Sequence, residues 1–381
     1  MKSKEHIIWL DAIRLLAFLF LIICHAADPF NAAATYGNGD QVSESSLLWG
    51  QLWGSFVRPC VPLFVMLTGA LTFPVKVSIG QFYRRRIFRV LWPFLLWSVI
   101  YNLFPWITGL LGLDSSIVYK CFAWAETDSQ SLATGLSSIA QIPYRCNAIA
   151  GHMWYIYMLI GLYFYIPILS AWVERATRRQ LEFVLCLWAL STMLPYVNEF
   201  VCTDSFGTSA FNAFGTFYYF SGFMGYLLLG YYLRHYFNPS LTKTLALSGL
   251  FLVIGYAITF GGFHKVMSLP QKSPELIELF WTYNSLNVVL MTTAWFMLLK
   301  HVRISSSKKP AQMLCNLTSC GFGIYMIHYF FVGLCYTIVT WLSVPTFLQI
   351  PLSALLIFAI SWTLIFFIKK GLKNWAIYVV G

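Results

Sequence analysis

The sequence is short of charged residues and has no boundary that divides it into domains. Only 10% of its 381 residues are Asp, Glu, Lys or Arg, whereas a typical soluble domain has about 25%. Hydrophobic residues make up 59%, and there is no internal repeat, linker-like stretch or low-complexity tract. This composition argues against a separate soluble domain. It predicts one integral membrane domain that spans residues 1–381.

Several catalytic signatures are also absent. The chain contains no H-E-x-x-H zinc motif, no Walker phosphate loop, no G-x-S-x-G nucleophile elbow and no Cys/His cluster with metal-ligand spacing. We therefore expect no metal, no permanently bound cofactor and no covalent serine intermediate. The nine cysteines include no C-x-x-C pair. A Cys121–Cys146 disulfide is one option, but spacing alone does not fix a pairing.

Ten apolar runs are long enough to cross a bilayer, for which about 20 residues suffice. The first run has no small-residue cleavage site and others follow it, so it is predicted to be a retained helix and not a signal peptide. The sequence therefore predicts an all-α polytopic membrane protein with about ten transmembrane helices. The runs fall at 8–27, 47–73, 90–111, 152–173, 181–199, 214–234, 243–262, 280–300, 314–340 and 350–369.

Basic residues are divided unevenly between the two predicted sides of the bilayer. An even number of spans places both termini on one side, and that side collects 20 of the 25 Lys and Arg residues. By the positive-inside rule it is the cytoplasmic side. We therefore expect a multi-pass protein of the cytoplasmic (inner) cell membrane, with both termini cytoplasmic. The formal net charge of +11 reflects this topology and does not indicate a nucleic-acid partner.

The first predicted span carries charged and titratable residues along one face. Asp11 and Arg14 are three residues apart, and His25 follows eleven residues after Arg14. Eleven residues at about 100° each complete three turns plus about 20°, so Arg14 and His25 share a face and lie about 16 Å apart. A charge near the centre of a membrane helix costs roughly 2.5–3.5 kcal/mol or more. This face is therefore predicted to line a protein interior or an aqueous cavity.

Five segments, taken in order, resemble the membrane acyltransferase 3 family, in particular its surface-polysaccharide O-acyltransferase branch. Arg14 and His25 match the family's signature of an arginine, ten residues and a histidine. Thr68 stands where the family usually has serine, so the role of Thr68 is left open. The other four segments are "VPLFVMLTGAL" (61–71), "FYRRRIFRVLWP" (82–93), "GHMWYIYMLIGLYFYIPIL" (151–169) and "FGIYMIHYFF" (322–331).

The resemblance implies an enzyme that uses cytosolic acyl-coenzyme A as a co-substrate and an extracytoplasmic hydroxyl as the acceptor. We expect acetyl as the acyl group, and a cell-surface glycan or lipid-linked glycan as the acceptor. The alternative from another class is a transporter or flippase for glycan intermediates, which would also have many spans and buried arginines. The missing internal repeat argues mildly against that alternative, since many transporters have internal symmetry.

The resemblance and the local chemistry together suggest roles in the first span. An imidazole titrates near neutral pH and suits proton transfer, so His25 is the candidate general base. The alternative is a polar residue at the membrane interface. Asp28 is expected to end the helix with Pro29, in solvent, rather than to orient the imidazole. Arg14 is predicted to contact coenzyme A at one end of a donor tunnel, unless it snorkels to the surface or is only neutralised by Asp11.

Four further arginines crowd the loop before the third span, namely Arg84, Arg85, Arg86 and Arg89. The positive-inside effect alone would explain a basic loop. The functional alternative is a cradle for the phosphates of coenzyme A, because the guanidinium fork suits phosphate. Arg86 and Arg89 stand at the arginine–x–x–arginine positions of the family that the chain resembles.

Arg58 is the most demanding charge in the sequence. It lies about eleven residues into the second span, or roughly 16 Å from its outer end, so it is too deep to snorkel. We expect it to hold the acyl carbonyl of the donor or to stabilise a developing oxyanion. The alternative is a structural ion pair, for which Glu199 is the candidate partner.

The outer half offers candidates for binding the acceptor. His152 and Trp154 open the fourth span, where aromatics either belong to the membrane interface or stack on a sugar. Tyr325 and His328 are three residues apart in the ninth span, and they form either a hydrogen-bonded interior pair or part of a cavity wall. Asn284 and Asn287 in the eighth span share a face and are predicted to form hydrogen bonds between helices.

Overall fold

The structure, a computed structural model, describes residues 7–36, 43–113, 130–146, 149–202, 220–270, 272–304 and 309–381. All regular secondary structure within these ranges is helical, as predicted. Cys121 lies outside the described residues, so its pairing with Cys146 stays one option among others. In the described loop around Cys146, burial raises the pKa of the Cys146 thiol.

The helices of the N-terminal half are α1 (Ile8–Tyr36), α2 (Glu44–Phe56), α3 (Cys60–Thr72), α4 (Ile79–Leu110), α5 (Leu132–Gln141), α6 (Trp154–Val173), α7 (Arg178–Ser191) and α8 (Leu194–Phe200). Those of the C-terminal half are α9 (Met224–His235), α10 (Leu241–Met267), α11 (Pro274–Glu278), α12 (Leu286–Leu299), α13 (Lys309–Ser319), α14 (Gly321–Ile327), α15 (Val332–Trp341), α16 (Thr346–Leu372) and α17 (Ile377–Val380). Short 3-10 turns cover Gly151–Met153, His328–Phe331 and Lys373–Ala376.

Eight helical segments of the described chain are long and apolar enough to cross a membrane. The sixth predicted span, 214–234, lies partly outside the described residues, and its part from Met224 onward belongs to α9. The eighth, 280–300, forms α12, whose 14 residues fall short of that length. The all-α polytopic membrane protein is thus confirmed, while the number ten and the orientation stay predictions. The eight segments are Ile8–Asn31, Glu44–Thr72, Ile79–Leu110, Gly151–Val173, Arg178–Phe200, Leu241–Met267, Gly321–Trp341 and Thr346–Val380.

Hydroxyl side chains start three helices that leave the predicted cytoplasmic side. Ser78 caps α4 by accepting a hydrogen bond from the backbone N–H of Gln81, and Ser240 caps α10 in the same way through Lys243. Thr177 starts α7 with a reciprocal capping box. Each cap satisfies an amide that the helix itself leaves without an acceptor. These caps fix the residue at which each helix begins.

The described residues fall into two compact units that are interleaved along the sequence. The helices α1, α6 and α13 contribute residues to both. The prediction of one continuous domain stays a prediction. The first unit takes its described residues from 1–24, 30–76 and 166–315, and the second takes them from 25–29, 77–165 and 316–381.

In the first unit, α3 and α9 pack closely at two glycines. A Cβ placed on Gly69 would lie 2.0 Å from the carbonyl oxygen of Leu227. One placed on Gly230 would lie 2.0 Å from the carbonyl oxygen of Met66. Small residues permit such close approach between membrane helices generally. The contact of α3 with α9 therefore depends on glycine at both positions.

We expect the substitution Gly230→Ala to lower the thermal stability of the purified protein in detergent. The added methyl group has no room, and overpacking costs about 1–3 kcal/mol or more. Gly249→Ala is the matched control, because Gly249 is an exposed position of α10 where an added Cβ would have no atom within 4 Å. There the same change should be neutral or stabilise by about 0.5–1 kcal/mol. Equal melting temperatures for the two variants would contradict the packing argument.

Asn287 connects α12 to its neighbours in the first unit. Its Nδ2 donates to Oγ1 of Thr259 on α10 at 2.7 Å, and its Oδ1 accepts from the hydroxyl of Tyr196 on α8 at 2.6 Å. A further bond runs from Nδ2 to the carbonyl oxygen of Phe280 at 2.9 Å. The predicted hydrogen bonding between helices is thus confirmed for Asn287, whereas Oδ1 of Asn284 is buried without a hydrogen-bond partner among the described residues.

Two loops that the sequence assigns to the cytoplasmic side meet in the first unit. Nζ of Lys76 lies 2.6 Å from Oε1 of Glu174, and the backbone N–H of Val75 donates to Oγ of Ser170 at 2.7 Å. The Lys76 ammonium holds the pKa of Glu174 below its usual range. The two loops therefore lie at the same end of their helices, which is what the predicted topology requires of them.

The first span is longer than the sequence predicts. Asp28 and Pro29 indicate an end to α1, but the helix continues through Pro29 to Tyr36. A proline inside a helix removes one backbone donor, here the one that would serve the carbonyl of His25, and costs about 3 kcal/mol. Burial of the following turn offsets this cost, because the side chain of Phe30 is only 1% exposed and Nδ2 of Asn31 donates to the carbonyl oxygen of Gly50.

The second span is interrupted. The predicted helix 47–73 is instead two helices, α2 and α3, joined by a turn at 57–59. Pro59 has no N–H with which to continue the hydrogen-bond pattern of α2, and proline is tolerated where a helix begins. The break places Arg58 in the turn.

The second unit is organised along α4, its longest helix. Residues of α5 and α17 pack against α4, and the indole N–H of Trp97 donates to the carbonyl oxygen of Val379 at 2.8 Å. The helices α15 and α16 pack against each other. The first turns of α4 carry the four predicted arginines, and its middle carries the fully buried Tyr101. The single helix α4 thus positions both the four arginines and Tyr101.

Candidate active site

The imidazole of His25 is paired with the carboxylate of Asp28, one turn further along α1. Nδ1 of His25 lies 2.7 Å from Oδ2 of Asp28. An ionised carboxylate only accepts hydrogen bonds, so Nδ1 carries the hydrogen and the neutral ring keeps its lone pair on Nε2. This contact corrects the expectation that Asp28 only ends the helix in solvent. The side chain of Asp28 is 33% exposed, and its carboxylate orients the imidazole of His25.

Aromatic rings from two other segments of the second unit surround this imidazole. The ring centroid of His328 lies 5.2 Å from that of His25, and that of Tyr329 lies 5.5 Å away. The ring of His152 lies 6.4 Å from His25 and 5.2 Å from His328, and Tyr329 stacks on it at 4.7 Å. The structure thus brings together three histidines from the first, fourth and ninth predicted spans. We refer to His25, His152, His328, Tyr329 and Asp28 as the histidine cluster.

Two 3-10 turns position the second and third histidines. His152 lies in the turn Gly151–Met153 directly before α6, and His328 opens the turn His328–Phe331 between α14 and α15. Short 3-10 turns are frequent at the ends of α-helices and as connectors between them. Both histidines therefore lie where the α-helical hydrogen-bond pattern is interrupted.

Hydrogen bonds hold the cluster in place. The hydroxyl of Tyr325 donates to the carbonyl oxygen of His152 at 2.6 Å, and that of Tyr101 donates to the carbonyl oxygen of Met326 at 2.8 Å. Nδ1 of His328 lies 2.7 Å from the carbonyl oxygen of Tyr325. Because a carbonyl only accepts, Nδ1 of His328 carries the hydrogen and Nε2 carries the lone pair. Tyr325 and His328 are thus linked through the backbone.

Three ring nitrogens of the cluster are buried without a hydrogen-bond partner of ordinary geometry among the described residues. They are Nδ1 and Nε2 of His152 and Nε2 of His328. His152 is 4% exposed and His328 is fully buried. Buried polar atoms are nearly always paired, and an unpaired one costs about 1–3 kcal/mol. These nitrogens are therefore suited to bind a polar ligand. The described His, Cys, Asp and Glu residues include no group of three arranged to hold a metal ion.

A cleft of about 680 Å³ lies at the start of α4 in the same unit. We refer to it as the arginine cleft, because Arg84, Arg85 and Arg89 line it. The rings of Trp92 and Tyr378 lie 6.4 Å apart and form part of its aromatic wall. The cleft therefore combines several cations with flat apolar surfaces. Its other lining residues are Gln81, Phe88 and Ile377.

Arg86 and Trp154 lie in the second unit but neither line the arginine cleft nor contact the histidine cluster through a described hydrogen bond. Arg86 is half-buried, does not line the arginine cleft and lies within electrostatic range of the Tyr163 hydroxyl. Trp154 opens α6, with its ring edge-on to Tyr155 at 6.4 Å between centroids. The predicted contacts of Arg86 with phosphate and of Trp154 with the acceptor stay predictions.

Arg14 and Thr68, both in the first unit, form side-chain hydrogen bonds within their own helices. Arg14 donates from Nη1 to Oδ1 of Asp11 at 2.7 Å, and its side chain is 33% exposed. The hydroxyl of Thr68 donates to the carbonyl oxygen of Phe64 at 2.9 Å. Asp11 therefore neutralises Arg14, and contact of Arg14 with coenzyme A stays a prediction.

Arg58 is buried in the turn between α2 and α3. Its Nε donates to the carbonyl oxygen of Gly54 at 3.2 Å, and its guanidinium lies 3.9 Å from the ring centroid of Trp281. Glu199 is exposed at the end of α8 and forms no ion pair with Arg58. The alternative of an Arg58–Glu199 ion pair is therefore wrong, and the predicted contact of Arg58 with the acyl carbonyl or a developing oxyanion stays a prediction.

Sequence reasoning missed several residues of these features. The spacing of three residues between His25 and Asp28 is a signal for their pairing, because it places the two side chains on one helix face. Tyr329 directly follows His328 but has no pattern of its own that would single it out. No local pattern could place Tyr378 beside α4, because that contact depends on the tertiary fold.

Comparisons with known proteins agree with this arrangement. A family model described as an acyltransferase domain, that of the acyltransferase 3 family, matches residues 7–366. No match was found among curated proteins or among solved structures. Since the family model covers nearly the whole chain and the described helices include eight of membrane-spanning length, the chain belongs to the acyltransferase 3 family and is a multi-pass membrane acyltransferase.

Proposed function

We propose that the protein is an O-acyltransferase that moves an acetyl group from cytosolic acyl-coenzyme A to a hydroxyl of an extracytoplasmic cell-surface glycan. The observation that carries the proposal is the His25–Asp28 pair within a cluster of buried imidazoles. A carboxylate that orients an imidazole through Nδ1 leaves Nε2 as the base, which is the arrangement of general-base catalysis in acyl transfer. Membership of an acyltransferase family supplies the class of reaction.

The proposed chemistry is a direct transfer. The acceptor hydroxyl gives its proton to Nε2 of His25 while its oxygen attacks the carbonyl carbon of the thioester. The new C–O bond forms, the C–S bond breaks, and the coenzyme leaves as a thiolate that takes the proton from the imidazolium. Asp28 holds the ring and stabilises the imidazolium that forms transiently.

The two other histidines are proposed to bind the acceptor. A neutral imidazole has one donor and one acceptor nitrogen, so His152 can both give and take a hydrogen bond. His328 can only accept, through Nε2, because its Nδ1 donates to a backbone carbonyl. A sugar offers neighbouring hydroxyls that meet both needs. Tyr325 supports this site by fixing the backbone of His152.

The arginine cleft is proposed to bind the nucleotide end of the coenzyme. Guanidinium forks suit phosphate, and a flat aromatic wall suits a purine ring. Arg84, Arg85 and Arg89 would hold phosphates, and Trp92 with Tyr378 would contact the base. Arg14 and Arg86 stay predicted as further contacts to the coenzyme.

The purified protein in detergent tests this function directly. We expect it to release coenzyme A thiol from acetyl-coenzyme A when a panel of oligosaccharides is added, and one member of the panel should gain the mass of the acyl group. Release of thiol without any acylated sugar would contradict glycan acylation. Movement of a glycan across a reconstituted membrane, with no thiol release, would favour the transporter alternative.

Removal of two charges from the arginine cleft should weaken donor binding. The double substitution Arg84→Gln and Arg85→Gln is expected to raise the Kd for coenzyme A about tenfold, since charge-assisted hydrogen bonds contribute about 1.5–3 kcal/mol each and these are partly screened. Binding to the unaltered protein should weaken as the salt concentration rises. Arg179→Gln, an exposed arginine of α7, is the matched control. Unchanged donor affinity in the folded double variant would leave these arginines only a role in topology.

A further inference from the structure

Arg58 lies midway along the second span, between its ends Glu44 and Thr72. Its side chain is 8% exposed. Arginine stays protonated in proteins, so this position holds a permanent positive charge at the depth where charge is most expensive. A buried charge is retained only where something pairs with it.

The protein holds the guanidinium of Arg58 in one orientation. Nε donates to the carbonyl oxygen of Gly54, and the ring of Trp281 covers one face at 3.9 Å. Trp281 is itself fixed, because its indole N–H donates to Oγ of Ser55 at 2.9 Å and its ring stacks on Phe263 at 3.5 Å. The guanidinium of Arg58 is therefore held in a preformed position by its neighbours.

These contacts leave the edge of the guanidinium without a partner. Its only hydrogen bond to a described residue is the one from Nε, and it forms no ion pair with a described carboxylate. The groups close enough to interact electrostatically are Cys24, Cys60, Tyr283 and Glu278. The first three are two thiols and a phenol, none of which carries a permanent negative charge. Glu278 is exposed and forms no ion pair with Arg58. Among the described residues, the two terminal amino groups therefore have no permanent counter-ion.

The backbone adds a second feature that favours an anion. The helix α3 starts at Cys60, and no side chain caps its first turn. The positive end of its dipole therefore lies at the same break as Arg58. In some transporters, interrupted membrane helices place such ends at the sites where anionic groups of substrates bind.

We propose that Arg58 binds a carboxylate carried by one of the two substrates. A guanidinium fork can hold either a carboxylate or a phosphate. This site offers only one permanent positive charge, which the single negative charge of a carboxylate balances, whereas the phosphates of coenzyme A carry several charges. The inference rests on the proposed acyl transfer and names the chemistry of its substrates. The carboxylate belongs either to an acidic sugar of the acceptor or to the far end of a dicarboxylic acyl group. In the second case the transferred group is larger than acetyl.

Thermal unfolding of the purified protein tests carboxylate binding without any turnover. Glucuronate and succinate are the probes, and glucose and succinamide are their neutral counterparts, all at one ionic strength. We expect at least one carboxylate to raise the melting temperature while its neutral counterpart does not. Arg58→Gln should weaken that binding about tenfold or more, and the control Arg145→Gln should not. The double variant Arg84→Gln and Arg85→Gln should keep the effect, which excludes binding in the arginine cleft.

The two sources of carboxylate give different results. Stabilisation by glucuronate alone assigns the site to the acceptor, and stabilisation by succinate alone assigns it to the acyl group. Equal stabilisation by inorganic phosphate, or by the neutral counterparts, would overturn the proposal. If Arg58→Gln does not fold, the comparison of charged and neutral probes on the unaltered protein still decides whether the protein binds a carboxylate. A protein that binds a carboxylate through Arg58 but releases no thiol would refute the acyl transfer and not the anion site.

Discussion

The substitution His25→Gln is expected to remove measurable acyl transfer while donor binding stays nearly normal. Glutamine keeps a polar side chain of similar length but cannot take a proton, and general-base catalysis contributes about 10²- to 10⁴-fold. The loss should therefore appear in kcat, whereas the Kd for acetyl-coenzyme A changes little. Thiol release and equilibrium binding, measured on the same preparation, separate the two quantities.

The control for this substitution is His235→Gln. His235 lies in the last turn of α9 in the first unit, where its ring contacts Tyr231, so the change should leave kcat near its original value. A folded His25→Gln variant that still transfers acyl groups at a rate near that of the unaltered protein would remove the base assignment. It would leave the family membership untouched and move the proposed base to another residue of the histidine cluster.

The substitution Asp28→Asn is expected to lower kcat about 10²- to 10⁴-fold, because the same change beside the histidine base of a Ser-His-Asp triad costs about 10⁴-fold and general-base catalysis contributes about 10²- to 10⁴-fold. Asparagine can turn its amide toward Nδ1 of His25 and donate to it, which would favour the tautomer with hydrogen on Nε2. The base would then be unable to accept the hydroxyl proton. Asp28 is thus a positioning residue, and the Kd for the donor should not change.

A conservative variant separates positioning from simple packing. Asp28→Glu keeps the carboxylate and should recover part of the activity that Asp28→Asn loses. Glu174→Gln is the control for loss of a carboxylate, because its exposed ion pair with Lys76 contributes little. If Asp28→Asn and Glu174→Gln have the same kcat, then the 2.7 Å contact with His25 has no role in the reaction.

The class of fold can be predicted because it depends on the local composition of the chain. Long apolar runs with polar ends can only be helices in a bilayer, since every backbone polar group must be satisfied internally. The same reasoning fails where packing outweighs a local preference. Pro29 indicates an end to α1, yet the helix continues beyond it because Phe30 is buried. Pro59 marks the break at Arg58 in the sequence, but the apolar run around it is long enough to cross a bilayer as one helix, so the break escapes prediction.

The candidate site can be predicted only in part. The spacing from Arg14 and the family resemblance identify His25, whereas the sequence favours a solvated Asp28 over one that orients the imidazole. The meeting of His25 with His152 and His328 depends on three segments far apart in the sequence, so no periodicity could show it. The residues around Arg58 also come from segments far apart in the sequence, so only the fold shows that they meet.

The central claim is that the protein carries an acyl group from a coenzyme on the cytoplasmic side to a glycan on the other side. Oriented vesicles that contain the protein test it most directly, with radiolabelled acetyl-coenzyme A on the cytoplasmic face and a panel of oligosaccharides on the opposite face. We predict that label appears in an oligosaccharide, and that it does not when the vesicles contain His25→Gln. Labelling that requires both substrates on the same face, or that is unchanged by His25→Gln, would contradict the account.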